Sequence, residues 1–405
     1  MQNLGFEYGE ALMSQTLTPL VTRRLALAAG VAGLLVALLA PLVAQSKTSV
    51  SNRPETPFKL ATFEVQGRTR LGMTSGRESG DKPSGLSNRL VDISAANAYV
   101  AKQAGLPAVA IPGDMLALIE QYDRLAPRLY EIANYLKTAN VDSLPFAFDA
   151  KAATFKPPIT YPWNFLNIAA NYRAHAAGMG AATPAAPAGG RAGFNAAALA
   201  DIVPERDGPI VFAKSPRSCI IATGEPFYIP EGNQRIDWEG ELGIIIGKPA
   251  FNVTRERAHD YVFGYSIVND ISDRGGRQRR VVSMFPGTNW FDGKSIDRGG
   301  PFGPYIVPKE FINASNLRIV TRVNGVVKQD QPTSDMIWGE AHQIAYISMN
   351  MTLYPGDLIS TGTPSGTGAE RNEFLKPGDV VTIDIEGIGT LTTPIKAASE
   401  QRGTR

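Results

Sequence analysis

A chain of 405 residues is long enough for two well-buried cores, or for one large domain with an appendage. Its 43% apolar residues, with 40 glycines and 29 prolines, suit a strand- and loop-rich globular protein and exclude a disordered chain or a helical bundle. A net charge of +2 without a basic stripe argues against nucleic acid as a partner, and the single cysteine, Cys219, excludes a disulfide framework and a cysteine-rich zinc site.

At the N-terminus, Thr22-Arg23-Arg24 precedes residues 25–44, an uncharged run rich in Ala, Leu and Val. This reads as a secretory h-region or a just-sufficient transmembrane helix. Leu42-Val43-Ala44 before Gln45 is an imperfect cleavage site, and the paired arginines resemble a twin-arginine signal with Ala26 where Phe is preferred. Segment 1–44 is therefore expected to export the protein to the periplasm, or to anchor it in the membrane facing that side. A polar linker follows over 45–56. Residues 57–150 form a small α+β domain, with strands expected over 59–67, 69–72 and 90–93 and helices over 95–103, 114–125 and 127–137. Its charged residues read as solvated faces.

A second, larger domain is expected over 151–396, with a tail over 397–405. Residues 180–208 are dominated by Ala, Gly and Pro, a composition that cannot pack a core and reads as a mobile flap or a neutral insertion. From 209 to 395 strand signals dominate, punctuated by turns such as Asn324-Gly325 and Pro355-Gly356-Asp357, with helices near 254–261 and 337–346.

The chemistry concentrates at Ile236-Asp-Trp-Glu-Gly-Glu-Leu-Gly-Ile-Ile-Ile246. Alternate side chains of a strand share a face, so Asp237, Glu239 and Glu241 are expected to project together. Crowded carboxylates running into a buried strand are usually offset by a cation, and oxygen ligands select a hard one: Mg²⁺, Mn²⁺ or Ca²⁺. The alternative is a solvated strand edge. Asp270, at the end of the apolar segment 261–269, is a third ligand candidate, with Asp273 as its rival. Gly293-Lys294-Ser fails the P-loop pattern because Thr288 stands where glycine is required. Lys294 instead reads as a fixed positive charge beside an oxyanion, or as a plain surface lysine. The turn Thr361-Gly-Thr-Pro364 offers N–H groups and hydroxyls to an anion, or is simply a tight turn. Of three histidines, His175 is the best acid–base candidate.

Together these pieces resemble the fumarylacetoacetate hydrolase family. The matching motifs, in order, are Asn171-Tyr-x-x-His175, Phe212-Ala-Lys214-Ser, Trp238-Glu-Gly-Glu-Leu-Gly-Ile-Ile-Ile-Gly247 and Gly264-Tyr-Ser-Ile-Val-Asn-Asp270. Gly293-Lys294-Ser, Pro301-Phe-Gly-Pro-Tyr305, Asn324-Gly-Val-Val-Lys-Gln329 and Thr361-Gly-Thr-Pro364 follow. The resemblance implies an α+β, mostly β fold, a mixed β-roll, and a homodimer. It implies a divalent metal held by Glu239, Glu241 and Asp270, catalysis by His175 and Lys294, and substrate contacts from Tyr172, Gly362, Thr363 and Gln329. Members act on 2-oxo acids and 1,3-dicarbonyls by hydrolytic C–C cleavage, decarboxylation, dehydration or enol–keto isomerisation.

The chain departs from the family at two points, one of them Gly275, where an acidic residue often follows the arginine matching Arg274. Many members carry His-x-x-Glu, a dyad that activates water, but three residues after His175 stands Gly178. Glu205, Glu370 and Glu373 are the candidates to replace the missing carboxylate. The leading expectation is a metal-dependent C–C hydrolase. An isomerase or decarboxylase of the same family is the near alternative, and a catalytically silent exported binding protein or a membrane-anchored interaction module are the rivals of another class.

Overall fold

The computed structural model describes residues 50–74, 89–182, 202–275 and 290–403. The expected export segment 1–44, the start of the linker and most of the 180–208 insertion lie outside the described residues. Among the described residues no helix is long and apolar enough to cross a membrane.

The strands β1 (Lys59–Val65) and β2 (Arg68–Thr74) form a hairpin whose two-residue turn, Gln66-Gly67, takes positive φ at both positions. That is the twist-matched turn antiparallel strands favour. Strand β3 (Arg89–Asp92) runs directly into α1 (Ile93–Ala104), because Asp92 turns from strand to N-cap and accepts from Ala95 N. Helices α2 (Met115–Glu120) and α3 (Tyr122–Leu136) follow, then β4 (Ala147–Asp149) and β5 (Thr154–Lys156). The helix break thus falls at Gln121, and Pro127 sits inside α3 instead of opening it. Leu125, Leu129, Ile132, Ala133 and Leu136 make one buried stripe across Pro127, and burying that stripe outweighs the one missing N–H. The five strands form one sheet in the order β4-β3-β2-β1-β5.

Two larger sheets follow. The first joins Val307–Pro308, Val262–Asn269, Gly240–Ile246, Leu358–Ser360, β6 (Phe165–Ala169) and β7 (Ile210–Lys214), in that order. The second joins Val326–Pro332, Arg318–Val323, Val380–Ile385, Gly389–Ala397 and Phe227–Ile229. The expected turn Asn324-Gly325 closes the hairpin at its edge, both residues at positive φ. This mixed, strand-rich α+β architecture agrees with the expected fold class.

The strand Gly240–Ile246 is buried throughout because both faces are covered. Leu242, Ile244 and Ile246 pack with Ile319, Val381, Ile383 and Leu391 of the second sheet. Ile245, of opposite parity, packs instead with Leu60, Leu118, Leu129 and Ile132 of the N-terminal layer. An unbroken Ile-Ile-Ile is what a strand buried on both faces requires. Glu241 shares the parity of Ile245, so the same alternation that seats Ile245 in the N-terminal core delivers a carboxylate to that face.

Candidate active site

The antiparallel register that pairs Gly240 with Asn269 sets Glu239 opposite Asp270, and Asp270 N donates to Glu239 O at 2.9 Å. Glu239, Glu241 and Asp270 are all buried and offer carboxylate oxygens within 4.8 Å of one another. Asp273 is the turn residue of the Asp-Ile-Ser-Asp segment, its Oδ1 accepting from Gly275 N. Asp237 does not join the three. The strand breaks between Asp237 and Gly240, so the alternation expected from the sequence does not run through it. Asp237 instead accepts from Trp238 N, Gly368 N, Ala369 N and Arg274 Nε, tying Arg274 to the short helix Gly368–Arg371.

Three cations surround the carboxylates. Lys294, at the end of the helix Trp290–Lys294, places Nζ 2.6 Å from both Glu239 Oε2 and Asp270 Oδ2. Lys214, the last residue of β7, donates to Asp270 Oδ1 at 2.5 Å and to Ile271 O at 2.9 Å. Arg274 bridges Asp237 and Glu239. Burial opposes charge on Glu239, but Lys294 and Arg274 overcome it and hold that carboxyl well below its ordinary range. Glu241 has no such partner. Burial first, then the charges of Asp270 and Glu239, push its carboxyl well above the usual range, although Ser360 Oγ and Gly362 N both donate to its Oε2. Lys294 loses solvation on burial, yet Asp270 and Glu239 raise its pKa above the ordinary lysine value.

His175 lies on α4 (Arg173–Ala182), and its Nδ1 is 2.7 Å from Glu370 Oε1. The missing dyad carboxylate is therefore supplied from another element. Glu370 is held in turn by a capping box: its Oε2 accepts from Thr367 N and Gly366 N, while Thr367 Oγ1 accepts from Glu370 N. Gly178 makes room for it, since a Cβ there would stand 2.7 Å from Glu370 Oε1. The other candidates are elsewhere: Glu373 pairs with Lys328, and Glu205 is exposed.

Gly362 adopts φ +93°, and a Cβ there would meet Asn171 Cβ at 2.6 Å, so the turn that aims its N–H at Glu241 needs glycine. Thr363 lines the site and donates to Gly240 O. Gln329 stands behind it, donating to Thr363 Oγ1 at 2.7 Å and accepting from Gly240 N. Tyr172 is fully buried; burial and then Glu241 raise its phenol well above the ordinary range. The cavity enclosed by His175, Glu239, Glu241, Arg274, Lys294 and Thr363 is only about 30 Å³, so it admits water but takes a larger ligand only when lining side chains give way. Lys214 and Arg274 carry no role expected from the sequence, whereas Glu370 is one of the three carboxylates proposed there to replace the missing one. Lys214 stands within the Phe212-Ala-Lys214-Ser motif and Arg274 in none of the motifs above; Thr367-x-x-Glu370 is a legible capping box, but nothing local ties Glu370 to His175.

An all-oxygen donor set, buried, with one carboxyl left without a cation, fits a hard divalent ion. Residues 164–396 match the family model described as fumarylacetoacetate (FAA) hydrolase C-terminal. The chain is 36% identical to the oxaloacetate tautomerase YisK of Bacillus subtilis (strain 168) over 292 residues, 70% of this chain and 87% of that relative. It resembles the solved fumarylacetoacetate hydrolase of Exiguobacterium antarcticum with TM-score 0.60 and 27% identity, covering 84% of this chain and 99% of that one. A maleylpyruvate hydrolase from Sphingobium sp. SYK-6, solved in complex with manganese(II) and pyruvate, aligns with TM-score 0.57 and 25% identity over 84% of this chain and 99% of that one. The motifs, the register that gathers the carboxylates and these likenesses lead to one conclusion: the chain belongs to the fumarylacetoacetate hydrolase family.

Proposed function

We propose that this protein is a divalent-metal-dependent enzyme that interconverts the enol and keto forms of a small 2-oxo acid of the oxaloacetate type. The observation that carries the reading is the His175–Glu370 pair facing the same cavity as the carboxylate triad and Lys294. A cation held by Glu239, Glu241 and Asp270 would polarise the keto oxygen and favour negative charge there. Lys294 adds a positive charge beside that oxygen. Glu370 fixes the ring of His175 through Nδ1, leaving Nε2 to take a proton from the carbon next to the carbonyl and return it. The 36% identity to an oxaloacetate tautomerase supports this choice of reaction.

Hydrolytic C–C cleavage of an acylpyruvate or fumarylacetoacetate-like substrate is the second reading. It is favoured by the same dyad, which suits the aiming of water at a second carbonyl. Both reactions pass through an enolate, so the product separates them.

The test uses purified protein with Mg²⁺, Mn²⁺ or EDTA, beside Glu239→Ala. Accelerated loss of the enol absorbance of oxaloacetate, abolished in Glu239→Ala, is the expected result. Release of pyruvate from acylpyruvates with no effect on oxaloacetate would move the assignment to hydrolase. Metal binding without turnover of any dicarbonyl would leave a silent binding protein. Export or anchoring rests on the sequence of residues 1–44 alone and the homodimer on family resemblance. Both are proposals, tested by cell fractionation and by light scattering.

A further inference from the structure

The carboxylates at the centre of the site are already matched by buried cations of the chain itself. Lys214, with a side-chain exposure of 0%, is bonded to Asp270 Oδ1. Lys294 bridges Glu239 and Asp270, and Arg274 joins Glu239 to Asp237. With all four carboxylates ionised, as a bound cation would require, this shell of Asp237, Glu239, Glu241 and Asp270 with three cations carries one negative charge in excess, the His175–Glu370 pair standing outside it. A bare divalent cation overshoots that balance and leaves one positive charge uncompensated. In a buried, weakly screened site such an excess is costly. One ligand carboxylate arriving with the metal restores neutrality, and a 2-oxo acid brings that carboxylate together with a keto oxygen on which further negative charge can develop.

We propose that this cation shell makes metal loading conditional on an anionic chelating ligand, and that Lys214 sets the strength of that coupling. The proposal rests on the metal-site reading above. Lys294 and Arg274 line the cavity and can face a substrate directly. Lys214 holds the far oxygen of Asp270 and the backbone at Ile271, so it is a positioning residue whose charge acts on the site through Asp270. Its removal therefore separates charge compensation from substrate contact. By linkage, whatever factor the anion adds to metal affinity, the metal adds to anion affinity.

The experiment is calorimetric titration of Mn²⁺ into the EDTA-stripped full chain, with and without pyruvate, an anion that chelates free Mn²⁺ only weakly. The electron spin resonance of bound Mn²⁺ serves as a second readout. Wild type is expected to bind Mn²⁺ about tenfold more tightly with saturating pyruvate. Lys214→Met, and Lys214→Gln should the first variant not fold, are expected to bind Mn²⁺ alone more tightly than wild type and to lose most of the pyruvate effect. Lys214→Arg keeps the charge and should keep the coupling. Equal Mn²⁺ affinity of wild type with and without pyruvate would overturn the proposal. So would a folded Lys214→Met that binds Mn²⁺ more weakly by the same factor in both conditions, since Lys214 would then be only a prop for Asp270. Intact coupling in a protein that turns over no 2-oxo acid would sink the proposed reaction and leave this inference standing. Absence of Mn²⁺ binding under either condition would end both.

Discussion

His175 takes its orientation from a carboxylate 195 positions further along the chain. Fixing Nδ1 decides which ring nitrogen is presented to substrate, so losing Glu370 should act on the proton-transfer step and not on metal affinity. Glu370→Gln is expected to lower kcat by roughly 10²-fold, the lower end for general acid–base groups, with Mn²⁺ affinity by calorimetry unchanged. A fall of less than threefold would remove the pair from the mechanism. Gly178 belongs to the same argument. A methyl there must push Glu370 Oε1 away, so Gly178→Ala should reproduce much of the Glu370→Gln kinetic defect while the protein stays folded by circular dichroism. A glutamate at position 178 would meet the same obstacle.

At the scale of elements, the site is assembled by chain ends and breaks. Glu239 and Asp270 each stand one residue outside a strand, and Lys214 and Lys294 close a strand and a helix. The four-residue helix Gly368–Arg371 is too short to stand on propensity. It is held by Asp237 at its first N–H groups and by the Thr367–Glu370 capping box, so one carboxylate caps the helix and orients His175 at once. Thr367→Ala removes the hydroxyl cap and should cost about 1 kcal/mol in urea denaturation. Because Glu370 is then less constrained, kcat is expected to fall while KM stays close to wild type. Lost stability with unchanged kcat would show that the cap serves the helix alone.

Over the whole molecule, the small N-terminal layer shares a core with the sheet that carries Glu241. Ile245 packs in that shared core, four residues along the strand from Glu241. Ile245→Ala should cost about 2–5 kcal/mol, and unfolding should remain a single transition. Far-UV dichroism, which reports the helices of both parts, α1 to α3 among them, and fluorescence of the buried Trp238 and Trp338 should give coincident curves. Separate midpoints would show two independent folding units. Metal should add to this stability by mass action: Mn²⁺ at a hundredfold excess over its Kd contributes about 2.7 kcal/mol, and Glu239→Ala should show no rise in Tm on Mn²⁺ addition.

Local rules read from the chain alone were sufficient for much of this. The Asn324-Gly325 hairpin, the doubly buried Ile244-Ile245-Ile246 strand, the clustering of Glu239, Glu241 and Asp270 and the placement of His175 and Lys294 beside them follow from turn chemistry, side-chain alternation and ordered motifs. Those signals are short-range or carried by the order of motifs, and the pairing of Gly240 with Asn269 is what sets Asp270 opposite Glu239. What only the tertiary structure decided was of another kind. Asp237 stands apart from the carboxylate cluster because the strand breaks after it; Pro127 entered a helix because a buried stripe outweighed one lost hydrogen bond; and Glu370, not Glu205 or Glu373, met His175. Each of these turns on contacts between segments far apart in the chain, where the energy of burial and of charge pairing, and not local preference, chooses among residues that the sequence presents as equals.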